Sequence, residues 1–155
     1  PICDLYIAAL LHDIGKIAVP SEILQKTGPL SKDEIAIMQK HPAASAAILL
    51  NFQELAALSP IVRSHHERMD GSGYPDGLKG DEIPEESRII AVVDVFEALI
   101  GTRPYRDPVH ACEAFKILQQ TPLDQKIVSA LIANYDQFAS FKAPKWAVPY
   151  MPIPA

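Results

Sequence analysis

Six residues able to bind metal are spread through this 155-residue chain: His12 and Asp13, His41, His65 and His66, and Asp94. Only five histidines are present, and four belong to this set. Imidazole and carboxylate without nearby cysteine make the donor mix of a hydrolytic metal centre. Asp94 is the sharpest of the six, because it interrupts SRIIAVVDVFEALI, a stretch apolar nearly all round. A helix of that kind is buried, and a lone carboxylate inside it is costly to desolvate. A shared metal offsets that cost; a cap or an arginine partner is the alternative.

His12-Asp13 closes an apolar helical stretch just before Gly15. Adjacent helical residues diverge by about 100°, so both reach one site only beyond the helix end or across a pair of metals. A carboxylate can bridge two cations roughly 3.5–4 Å apart, and Asp13 is the candidate bridge. An HD dipeptide alone is weak evidence. His65-His66 is more specific, since two neighbouring imidazoles pack poorly in a core and have no evident purpose on a surface. His41 alone reads as an ordinary helix-end residue, and His110 as a solvated one. Lys16, Arg103 and Arg106 stand close to these ligands in sequence and could bind phosphate oxygens, although most lysines and arginines are surface charges. No HExxH or GxxxxGK[ST] occurs, and Gly71-Ser72-Gly73 is not a nucleophile elbow, so serine or cysteine nucleophiles have no support.

The elements that must position these groups read as helices, with no sustained period-two alternation. Asp4 is expected to cap a first helix carrying Leu5, Ala8, Ala9, Leu11 and Ile14. Ser31 with Glu34 forms a capping box for a second helix running toward His41. Pro42 restarts an alanine-rich helix over 43–50. Ser59-Pro60 is expected to cap and open a helix carrying His65 and His66. Residues 69–84 hold four of the seven glycines and predict a long irregular loop, of the kind that is often functional. Helices are expected over 86–100, from Asp107-Pro108 to about Gln120, and from Asp124 to about Phe138. The tail from Ala143, with four prolines in thirteen residues, reads as extended.

One domain is expected from the length, with 48% apolar and 21% charged residues pointing to a globular chain. No apolar run is long enough to cross a bilayer and no secretory signal opens the chain. Cys3 and Cys112 offer no disulfide framework, which favours a reducing cytoplasm. A net charge of −5 argues against nucleic-acid surfaces while leaving room for a small phosphorylated substrate. Pro1 is not a translation start, so the chain reads as part of a longer protein.

HDIGK at 12–16, His41-Pro42, HHERMDGSGYPDGLKGDEIP from His65, and SRIIAVVDVFEALIGTRPYR from Ser87 together resemble the HD-GYP family of bacterial HD phosphohydrolases. The resemblance covers about residues 4–138. It implies an all-α fold, with residues 1–142 the catalytic domain lacking its first helices and 143–155 a proline-rich tail. It also implies two or three divalent metals, usually iron or manganese, with zinc, nickel or magnesium as alternatives. By position, His12, Asp13, His41, His65, His66 and Asp94 match the family's metal ligands. Asp13 and Lys16 match its catalytic groups. Lys16, Gly73, Tyr74, Pro75, Arg103 and Arg106 match its substrate-side residues.

The activity implied is hydrolysis of cyclic di-GMP to pGpG and/or GMP in the bacterial cytoplasm, without DNA or membrane contact from this segment. An upstream sensory or receiver domain is expected, as is a GGDEF-domain partner at the Tyr74 loop. Rival readings are a signalling module without catalysis and a phosphodiesterase for another cyclic dinucleotide, such as cyclic GMP-AMP. The chain departs from the family pattern in four places. No histidine precedes His12 to supply the usual upstream ligand, which could impair the isolated segment. Ser45 replaces a common glycine, Gly101-Thr102 a usual Ser-Asp, and Leu-Asp-Gln at 123–125 a frequent Phe-Asp-Pro.

Overall fold

The computed structural model describes residues 2–101 and 108–139, and every regular element among them is helical. Helices α1 (Ile2–Leu11), α2 (Ser21–Leu24), α3 (Lys32–Met38) and α4 (His41–Leu49) form the first half. They are followed by α5 (Ser59–Arg63), α6 (Glu85–Ile100), α7 (Ala111–Gln120) and α8 (Gln125–Ala139). Arg103, Arg106, Asp107 and the proline-rich tail lie outside the described residues. No described helix is long and apolar enough to cross a membrane.

Two cores share α6. On one side, Ala8 of α1, Ala46 and Leu49 of α4, and Ile61 and Val62 of α5 pack with Ile90. On the other, Ala91, Val92, Phe96 and Leu99 of α6 meet Ala114 and Leu118 of α7 and Val128 of α8. Burial on both flanks explains why α6 reads as apolar nearly all round, although Val93 is 48% exposed. Polar ties fix its register. The buried Ser87 hydroxyl donates to the Ile61 carbonyl at 2.8 Å, and Arg88 reaches Asp124 at 2.9 Å.

Local sequence explains most boundaries. The Ser31–Glu34 capping box is present in both directions at the start of α3. Asp124 accepts the Lys126 N–H at 2.9 Å at the start of α8. Three expectations shift. First, α1 is under way by Ile2, so Asp4 sits in its first turn rather than capping it. Second, α7 begins at Ala111, with an exposed His110 in extended conformation as its N-cap residue. Third, Ser59 lies inside α5, and its hydroxyl donates to the Ala46 carbonyl at 3.2 Å instead of capping.

Candidate metal centre

Most candidate donors leave the backbone where a helix ends or begins, whereas Asp94 lies in the middle of α6. α1 stops at Leu11, and a turn through His12 and Asp13 leads into a 3-10 helix, Ile14–Ala18, that carries Lys16. Gly15 makes this turn fit. A Cβ there would collide with the His41 carbonyl oxygen and the Ser45 backbone nitrogen, so the turn rests directly on the first turn of α4. Fully buried Ser45 closes the contact: its hydroxyl donates to the His12 carbonyl at 2.7 Å and accepts the Gly15 N–H at 2.8 Å. His41 is a helix-end residue as expected, opening α4, and it is buried. α5 terminates at Arg63, which leaves His65 and His66 in the turn beyond it rather than on the helix. Two consecutive rings can converge there because the turn frees them from the 100° helical spacing.

The result is one group: ligand atoms of Asp13, His41, His65 and His66 all lie within 4.8 Å of one another. His12 and Asp94 stand beside it rather than in it. His12 Nε2 is 3.3 Å from Asp13 Oδ2, and the His12 and His65 rings meet edge-on at 4.9 Å. Asp94 and His12 line the same cleft of about 430 Å³ between α1 and α6.

Hydrogen bonds on the far side of the rings fix what they present. Nδ1 of His12 donates to the Ala9 carbonyl at 2.7 Å, that of His41 to Met38 at 2.8 Å, and that of His65 to Val62 at 2.6 Å. All three span three residues, and each assigns the proton to Nδ1, leaving Nε2 as a lone pair. His41 Nε2 then faces Asp13 Oδ1 at 3.1 Å and His65 Nε2 at 3.4 Å. These are acceptors facing acceptors, and Oδ1 is left buried with no hydrogen-bond donor. Such a cluster calls for a cation. The four donors therefore fit a divalent metal.

The electrostatics agree. Burial pushes His65 down to about 3 and drives His66 well below the ordinary imidazole value, with His65 and His41 adding to the effect. Both are neutral and available as ligands. Burial would raise the Asp13 carboxyl, but rings of His12 and His41 that donate to it, together with the charge of Lys16, outweigh burial and hold it well below the usual carboxylate range. The carboxylate is thus stabilised by positive charge at the place where the Nδ1-protonated rings leave room for a cation. Burial likewise opposes charge on His12, yet its contact with Asp13 raises it overall. Asp94 is raised, chiefly by burial. Lys16 donates to Asp13 Oδ2 at 2.8 Å, placing a cation at the rim of the cluster.

The glycine-rich loop folds back over this centre. A Cβ at Gly73 would strike the Glu67 backbone, and the Tyr74 N–H donates to the His66 carbonyl at 3.3 Å. The Tyr74 ring stacks on His66 at 4.8 Å and 29°, and the Tyr74-Pro75 peptide is cis. Sequence reasoning missed what holds the loop there. The buried Glu67 carboxylate accepts the N–H groups of Asp76, Gly77 and Leu78 at 2.7, 3.1 and 3.1 Å. Arg63 clamps Asp76 bidentately at 2.7 and 2.8 Å. The available signal was an acidic residue directly before a segment with many backbone donors and no regular structure to use them.

The model of the HD domain family matches residues 2–127. A cyclic di-GMP phosphodiesterase response regulator of Xanthomonas campestris, RpfG, is 46% identical over 84% of this chain. This chain belongs to the HD-GYP branch of the HD domain family. A 3'3'-cGAMP-specific phosphodiesterase of Vibrio cholerae is 40% identical over 88% of this chain, and a cyclic di-GMP phosphodiesterase of Thermotoga maritima 44% identical over 76% of it. The chain spans about a third of these relatives, covering 36%, 27% and 33% of their lengths. An HDG"Y"P protein of Bdellovibrio bacteriovorus shares the fold, with a TM-score of 0.66 at 22% identity over 86% of this chain and 43% of that one.

Proposed function

We propose that this HD-GYP domain is a metal-dependent phosphodiesterase that opens cyclic di-GMP to pGpG and GMP. One observation carries the reading: the two oxygens of Asp13 are divided between two donor sets. Oδ1 faces His41 and His65, while Oδ2 faces His12 and Lys16. A carboxylate so placed suits two adjacent cations. Asp13, His41, His65 and His66 would hold one; Asp13, His12 and Asp94 would contribute to the other, with an upstream histidine expected from the family pattern. Iron or manganese is the expected occupant. Bound divalent ions would lower the pKa of water toward neutrality and neutralise phosphate charge.

The remaining work falls to this chain's own residues. Lys16 offsets negative charge as the phosphoryl group becomes five-coordinate. Arg103 and Arg106, by resemblance, hold substrate phosphates through bidentate hydrogen bonds. Gly73, Tyr74 and Pro75 form the wall beside His66. A second substrate, 3'3'-cGAMP, is favoured by the relatives from Vibrio cholerae that carry that specificity in their names.

The test is turnover of each cyclic dinucleotide by protein loaded anaerobically with Fe(II) or Mn(II), with Asp13→Asn as control. Linear products that vanish in the variant are expected. A domain that binds metal yet cleaves neither substrate, alone or extended at its N-terminus, would leave the signalling-module reading in place.

A further inference from the structure

Four imidazoles crowd the centre, but only three are aimed in the same way. His12, His41 and His65 each tether Nδ1 to the carbonyl three residues earlier. Among the described residues no hydrogen bond reaches the His66 ring, whose ordered contacts are with neighbouring rings: His65 at 4.1 Å, His41 at 4.9 Å and Tyr74 at 4.8 Å. The first two are themselves members of the donor cluster. Among the described residues, Tyr74 is the one aromatic ring outside the cluster that stacks on His66.

That support is built. The backbone that carries Tyr74 is anchored just beyond it: the three N–H groups of residues 76–78 all converge on one buried carboxylate, and Asp76 is clamped by Arg63. Glu67 is covalently next to His66, so the residue that cages the loop also fixes the backbone from which the ring projects. Gly73 allows the loop backbone to lie against Glu67 itself.

We propose that Glu67 and Tyr74 are positioning residues for His66: the caged loop stacks Tyr74 on the ring and takes the role that a backbone carbonyl plays for the other three histidines. The inference rests on the reading of His66 as a metal ligand. It assigns the loop a function inside the centre, distinct from touching substrate or a partner. Outer contacts that orient a metal-bound imidazole typically change affinity about 10–100-fold when removed.

Three variants test this: Tyr74→Phe keeps the stacked ring, Tyr74→Ala removes it, and Glu67→Gln sets an amide N–H against at least one backbone N–H of the cage. Two readouts are used: Mn(II) affinity, from the free-ion paramagnetic resonance signal, and nuclear Overhauser contacts between the His41 and His66 rings in metal-free protein. Tyr74→Ala and Glu67→Gln are expected to bind Mn(II) about tenfold more weakly and to lose the ring contacts. Tyr74→Phe should match wild type, and Tyr74→Ala should remain folded, with the wild-type helical circular dichroism below its thermal midpoint. Undiminished affinity and intact ring contacts in Tyr74→Ala would overturn the proposal. So would a Phe variant as weak as the Ala variant, because the hydroxyl rather than the stack would then matter. If wild type binds no Mn(II) while Tyr74→Ala still loses the ring contacts, the metal reading fails and the positioning role stands.

Discussion

Replacing Ser45 by alanine isolates what holds the HD turn to the rest of the domain. Ser45 is fully buried, and its hydroxyl makes two short bonds to the same turn, donating to His12 O at 2.7 Å and accepting from Gly15 N at 2.8 Å. Alanine fills the same space apart from the oxygen, so no cavity of consequence forms. The Gly15 N–H and His12 carbonyl are then left without partners, in a contact too tight for water: a Cβ on Gly15 would already collide with α4. Two lost bonds at about 1 kcal/mol each, with some penalty for stranded groups, give an expected loss of about 2–3 kcal/mol. For a chain of this length that corresponds to roughly 4–12 °C in thermal midpoint. Circular dichroism during heating and urea titration would read it, with the midpoint falling at an unchanged urea slope. A Ser45→Ala protein within about 0.5 kcal/mol of wild type, the range of ordinary surface changes, would refute the idea that this hydroxyl braces the turn.

Other expectations follow from single contacts. Gly15→Ala forces a methyl into the His41 carbonyl and the Ser45 backbone; overpacking there should cost about 1–3 kcal/mol, measured by urea unfolding, and should weaken metal binding because Asp13 and His41 are pushed apart. Leu118→Ala, in the fully buried α6–α7–α8 core, should lose about 2–5 kcal/mol in the same assay while Mn(II) affinity stays at the wild-type level. The Arg63 bridge holds the Asp76 carboxyl below its ordinary value of 3.8. The bridge's small contribution to stability is therefore complete above that value and lost as pH falls through the depressed one. In Arg63→Ala, the Asp76 midpoint read by carboxyl NMR should rise back toward 3.8.

Much of the centre was legible in the sequence because its chemistry is written in residue types. With only five histidines in the chain and Asp94 conspicuous in apolar text, His65, His66 and Asp94 could be singled out from residue type and spacing. His41, by contrast, read as an ordinary helix end and joined the set only through the family resemblance. The all-helical class, the α3 capping box and the irregular 69–84 loop were likewise dictated locally, since caps and glycines act within a few residues. Tertiary structure decided the rest. Whether His65 and His66 lie on α5 or beyond it depends on where that helix stops. Which nitrogen each imidazole presents depends on a carbonyl that is oriented only once the helices are packed. Asp13 can turn one oxygen to each donor set only because Gly15 lets its turn lie flat on α4, held there by Ser45. Glu67 needs the folded loop before its two oxygens can collect three backbone donors. A sequence names the groups able to hold a cation; their direction comes from hydrogen bonds between segments far apart in the chain, and no local pattern encodes those.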